Sequence, residues 1–196
     1  LRCVTGVQTC ALPISQVSYM TEEGVSAMVI APVDPYGLSE ELKAAKEAEI
    51  PVIAYDDLIM NTDGVKYYVT FGGRQIGQLI GQEIIDKEEL DKLQEEKGSK
   101  TIEFLMGSLD DTQALFFYNG LMEKLQPYLD DGTLVCKSGQ ITFEDTGILR
   151  WSMDEAQSRA EDILEEAYQD GEAPDIICTG FYGAAEGAVN ALQNNG

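Results

Sequence analysis

The chain has 196 residues, room for one large domain or two small ones, and 44% of them are hydrophobic, enough to bury a core. Lys and Arg number 13 against 35 Asp and Glu, a formal net charge of −22, so the surface repels nucleic acid and anionic membranes and favours neutral or cationic ligands. There is no histidine, which removes Ser-His-Asp and Cys-His catalysis, and the four cysteines form no CxxC pair, which leaves a zinc site unsupported.

Residues 1–14 show neither strand alternation nor helical periodicity, and Pro13 would break a helix begun upstream. Residues 4–14 look like the translated read-through of a sequencing adaptor. Residues 1–14 are therefore expected to be a non-native leader, with Cys3 and Cys10 not natural residues and the natural sequence starting near Ser15. No apolar run approaches the ~20 residues of a membrane span, and the first 15 residues lack the basic-then-apolar order of a signal peptide.

Val17 and Met20, followed by Gly24, predict the tail of a helix. Residues 27–31 form a short apolar run ending at Pro32, which predicts a buried strand. Asp34-Pro35-Tyr36-Gly37 is turn chemistry, and Ser39 is expected to N-cap a helix with Leu42, Ala45 and Ala48 on its apolar face. Ile50-Pro51 opens a second strand at 52–56, completing a βαβ unit. A third strand is expected at 67–71, broken by Gly72-Gly73. A long helix follows, with Ile76, Leu79, Ile80 and Ile84 on its predicted apolar face and a charged run from Asp86 as its exposed continuation. Further strands are expected at 101–106, 134–136 and 176–178. Helices are expected from Leu115 to near Pro127, at 156–168 and at 184–192, with 139–150 read as a loop. Cys136 and Cys178 sit in strand-like runs and read as buried free thiols, with a disulfide between adjacent strands as the alternative.

Strand and helix alternate throughout. The fold class is α/β, with two doubly wound parallel-sheet lobes, part of an N-terminal lobe at 15–71 and part of a C-terminal lobe at 72–196, and a hinge at Gly72-Gly73. The chain stops on a helix without closing its sheet, so the fold is expected to be incomplete. GxxxxGK[ST], GxSxG and GxGxxG are all absent. Two carboxylate pairs, Asp56-Asp57 and Asp110-Asp111, follow strands. Adjacent carboxylates of this kind suit loop capping or ligand hydrogen bonding better than a catalytic couple.

Several stretches together carry a family resemblance: Val52-Ile53-Ala54-Tyr55-Asp56, Tyr67-Tyr68-Val69-Thr70-Phe71, Gly107-Ser108-Leu109-Asp110-Asp111, Phe116-Phe117-Tyr118-Asn119-Gly120, Lys137-Ser138-Gly139-Gln140 and Leu149-Arg150-Trp151. Through them residues 15–196 resemble the type 1 periplasmic sugar-binding proteins of ABC transporters, in the branch that takes several monosaccharides and is related to xylose-binding proteins. The resemblance implies two lobes closing on a sugar by hinge motion, no catalysis, no cofactor and no metal. It implies a monosaccharide of the xylose, glucose, galactose or arabinose class and delivery to an ABC permease. It also implies a monomer outside the cytoplasmic membrane, periplasmic or extracellular, either free or lipid-anchored.

By the same resemblance, Asp56 matches the family's sugar-binding Asp, whose charge strengthens hydrogen bonds from ring hydroxyls. Asp57 stands where an Arg is usual. Asp111 is followed by Thr112 and Gln113 where the family tends to carry two Asn. Trp151 matches an aromatic near the sugar, with stacking and core packing equally weighted. Phe181-Tyr182 replaces an Asn or Tyr followed by Asp, so Tyr182 keeps a hydroxyl but the carboxylate is gone. A different class, the effector-sensing domain of lactose-repressor-type regulators, shares the fold. The acidic charge and the Phe116-Phe117-Tyr118 and Leu149-Arg150-Trp151 matches favour transport. A carboxylate-dependent glycosidase has no support beyond the paired acids.

Overall fold

The structure is a computed structural model that describes residues 11–32, 34–168 and 171–195. Most of the expected leader, with Cys3 and Cys10, lies outside the described residues. The chain divides into two compact units, Leu1–Phe71 and Gly72–Gly196.

In the first unit, α1 (Ala11–Glu22), β1 (Met28–Ile30), α2 (Ser39–Glu47), β2 (Val52–Tyr55) and β3 (Val65–Val69) follow one another. The strands pair in parallel in the order β1-β2-β3, and α2 supplies the crossover that β1 and β2 need. Side chains alternate across the sheet. Met28, Ile30, Val52 and Ala54 are buried with Val17, Leu38, Leu42 and Ala45 in one core, while Val29, Tyr55, Tyr67 and Val69 are exposed on the other face. Ser39 is not the N-cap of α2. Leu38 holds that position without a side-chain hydrogen bond, and its burial in the core fixes the helix start instead. The third strand also lies two residues earlier than the aromatic run suggested, because pairing begins at Val65 opposite Val52.

The second unit contains α3 (Gly73–Lys87), α4 (Leu90–Glu95), β4 (Lys100–Leu105), α5 (Thr112–Asp130), β5 (Leu134–Val135), α6 (Phe143–Thr146), a 3₁₀ turn (Leu149–Trp151), α7 (Met153–Ala167), β6 (Ile176–Thr179) and α8 (Tyr182–Asn194). Its parallel strands run in the order β5-β4-β6. The central β4 is covered on both faces, as parallel strands require. Ile102 and Phe104 join the core built by α5, and Leu105 joins the core built by α7 and α8. Cys136, just after β5, and Cys178, in β6, are free thiols, and β4 lies between those two strands.

The predicted apolar face of α3 is not its buried face. Gly77, Gly81 and Ile85 are buried, whereas Ile76, Leu79 and Ile80 are exposed, Leu79 to 69%. The cause is close backbone contact with α5. A Cβ on Gly77 would lie 2.0 Å from the Phe117 carbonyl oxygen, and one on Gly120 would lie 1.9 Å from that of Arg74. Glycine therefore sets the interhelical distance, and the large residues are displaced to the flank. The charged run is no simple continuation either, because Glu89 turns at φ 50° and buried Leu90 starts α4. α5 passes through Pro127 for one more turn, tied down by buried Tyr128, whose hydroxyl lies 2.5 Å from Asp91 Oδ1. The predicted loop at 139–150 contains α6, N-capped by Thr142 on the Asp145 N–H, a turn too short for periodicity to betray.

Candidate ligand-binding residues at the strand ends

Asp56 is the first residue after β2. Its φ is 69°, a region that non-glycine residues seldom occupy, and the Asp57 N–H reaches back to the Tyr55 carbonyl at 3.0 Å to close a three-residue turn. Its backbone is held on both sides. The Asp56 N–H donates to the Val69 carbonyl and the Tyr68 hydroxyl donates to the Asp56 carbonyl, each at 2.9 Å. Asp56 is exposed, and its carboxylate accepts no hydrogen bond from the described residues. Fixed backbone, strained φ and a free carboxylate are what a ligand acceptor at a strand end needs. Asp57 is half-buried beside it.

In the second unit, the chain beyond β4 forms a polar turn into α5. Asp111 is the N-cap, its Oδ1 accepting the Gln113 N–H at 2.8 Å, which also suits the positive end of the helix dipole. One oxygen of Asp111 is thus committed to the fold. Thr112 is exposed at the first helical position, and Gln113 turns its Oε1 towards Gly73, 2.9 Å from where a Cβ would be. Phe181 and Tyr182 follow β6. Tyr182 opens α8 and is 81% exposed, whereas Phe181 is half-buried.

Trp151 lies far in sequence from any strand end, yet the segment before it returns to β4. The Met106 N–H donates to the Thr146 carbonyl at 2.7 Å, and the Ile148 N–H to the Gly107 carbonyl at 3.1 Å. The Arg159 guanidinium holds this segment too, donating to the Gly147 carbonyl at 3.1 Å and to Gln140 Oε1. The structure therefore brings Trp151 and Phe181 together, with ring centroids 5.3 Å apart and planes at 85°. How these residues arrange the two rings is not legible from sequence. Gly107 and Ser108 stood out in the sequence only within a stretch that carries the family resemblance, with no role assigned, and Arg159 only as one charge on a predicted helix.

A second polar cluster is structural. Glu103 on β4 is almost wholly buried and accepts from the Ser138 N–H at 3.1 Å, the Ser138 hydroxyl at 2.5 Å and the Tyr168 hydroxyl at 2.9 Å, with the Cys136 thiol at 3.3 Å. Burial pushes Cys136 up to about 11 and raises Tyr168 as well, so both stay neutral beside Glu103. Among the described residues no group of three acidic or cysteine side chains converges as a metal site. A surface depression of about 480 Å³ in the first unit, lined by Lys46, Pro51, Asp63 and Lys66, lies at the amino-terminal ends of β2 and β3. It is the wrong end of the sheet for ligand capture.

A profile of the periplasmic binding protein domain matches residues 9–196. The chain is 40% identical to the multiple sugar-binding periplasmic receptor ChvE of Rhizobium radiobacter, over 93% of this chain and 51% of that protein. It is 37% identical to the multiple sugar-binding periplasmic protein SbpA of Azospirillum brasilense, over 93% of this chain and 50% of that one. The crystal structure of an ABC transporter solute-binding protein from Clostridium phytofermentans, with bound β-D-glucose, superposes with a TM-score of 0.80 at 39% identity, covering 92% of this chain and 55% of that chain. The chain spans about half the length of the curated relatives it matches.

Proposed function

The chain belongs to the periplasmic binding protein domain family, and from that premise we propose that it forms part of an extracytoplasmic receptor that binds a monosaccharide and passes it to an ABC permease. The observation that carries the reading is Asp56, a carboxylate at a strand end with its backbone pinned in a strained turn and no partner among the described residues. A neutral sugar offers what such a group lacks, hydroxyl donors, and the charge roughly doubles the strength of each bond. Trp151 offers an apolar ring to the C–H face of a pyranose, and Tyr182 offers an exposed hydroxyl. Asp111 has one oxygen left after capping α5, and Thr112 adds a hydroxyl beside it.

The receptor binds its ligand and does not transform it. The similarity to multiple sugar-binding receptors supports transport over the repressor alternative. The ligand is drawn from glucose, galactose, xylose and arabinose, and the receptor is a monomer outside the cytoplasmic membrane, periplasmic or extracellular, either free or lipid-anchored. Calorimetric titration of the intact protein against these four sugars tests the reading. Saturable heat with at least one of them is expected, and silence across the panel would overturn it.

A further inference from the structure

The indole of Trp151 is placed by an unusual backbone. Arg150 has φ 55° and ψ 24°, and Trp151 has φ 55°, two consecutive left-handed residues with side chains. Each such residue costs of order 1–2 kcal/mol and persists where its surroundings over-determine it. Here the surroundings are explicit. The Arg150 N–H donates to Ser108 Oγ at 2.8 Å, and the buried Ser108 hydroxyl donates in turn to Asp110 Oδ1 at 2.5 Å. The kink is thereby locked to the end of β4.

The ring then rests on bare backbone. A Cβ on Gly107 would lie 2.2 Å from Trp151 Cη2 and 2.5 Å from Cζ3, so no side chain fits beneath the indole. Gly107 is needed for space, since its φ lies outside the left-handed range that favours glycine. Phe181, entering from β6, meets the indole edge-on. Trp151 still keeps 37% of its surface exposed.

We propose that Gly107 and Phe181 are positioning residues that fix the plane of Trp151, and through it the affinity for the sugar. The claim rests on the sugar-binding reading and deepens it. Phe181, which family resemblance places among ligand contacts, acts through the indole instead. Gly107 sets the depth of the ring and Phe181 sets its tilt, as an edge-to-face pair does.

The test labels the intact protein with 5-fluorotryptophan and identifies the Trp151 resonance by its loss in Trp151→Phe. Gly107→Ala and Phe181→Leu should each move that resonance without ligand and weaken sugar binding about tenfold. In a Trp151→Phe background, neither should cost more than about twofold, because the group they position is gone. An unmoved resonance, or a full additional loss in that background, would overturn the positioning role while the wild type still bound sugar. A wild type that bound no sugar would instead defeat the functional reading, and this claim with it. If Gly107→Ala fails to fold, Phe181→Leu, which removes atoms, decides the matter by the same cycle.

Discussion

Burial holds several side chains of the second unit in their neutral forms. Cys136 is pushed up to about 11 and Cys178 to about 12, each by burial first. Tyr128 rises to about 12, chiefly because its hydroxyl donates to Asp91. A group with a raised folded pKa contributes stability that is complete below its ordinary value and lost as pH climbs through the folded one. The ordinary values here are 9.0 for the thiols and 10.0 for the phenol. Thermal unfolding should therefore be insensitive to these groups below pH 9 and fall steeply between pH 9 and 12. Iodoacetamide at pH 8 should leave both thiols largely unmodified in the folded protein by mass spectrometry, and rapid alkylation would contradict the burial. The Glu103 cluster makes a separate claim. Tyr168→Phe removes one donor from a buried carboxylate and should cost about 1–3 kcal/mol in urea unfolding. At this scale the sequence revealed what local context decides. Asp56 was legible because an apolar run ends on an acid, and the free thiols because apolar residues precede them. The support of Trp151 was not, because Gly107 and Phe181 reach it only through the strand order β5-β4-β6.

Among elements, the contact between α3 and α5 departs furthest from what periodicity suggests. Counting apolar residues turned α3 the wrong way, because a face of Gly77 and Gly81 has no hydrophobicity to count. Its stabilisation comes from backbone approach and the dispersion contacts that follow, which a pattern of side chains does not record. Gly77→Ala and Gly120→Ala would each drive a methyl into a carbonyl oxygen of the opposite helix, with no flexible side chain to yield. Each should destabilise the protein by about 3 kcal/mol in urea unfolding, and a cost below about 0.5 kcal/mol would show that the helices are not in that contact. Strands were easier to read than helix faces. In β4, Ile102, Phe104 and Leu105 flank a buried Glu103, and burial of this central strand on both faces is what a parallel strand between two others requires. The one-turn α6 and the left-handed start of α4 were hidden, since both depend on single residues.

For the whole molecule, the alternation of strand and helix was enough to give the α/β class, and among the described residues the division between Phe71 and Gly72 separates two sheets of three strands each. Function was less legible, because a binding site for a neutral sugar needs no catalytic signature. It needs a few acceptors, a ring and a rigid frame. Asp56 would then serve a ligand at the expense of the fold. Residues kept in strained turns for function should stabilise the protein when relaxed, while activity is lost. Asp56→Gly puts the residue best suited to φ 69° at that position and removes the carboxylate. The decisive measurement follows the unfolding free energy and the sugar affinity of this one variant in the intact protein. A gain of about 1 kcal/mol in stability together with loss of sugar binding is expected. Retained affinity, or a marked loss of stability, would contradict it.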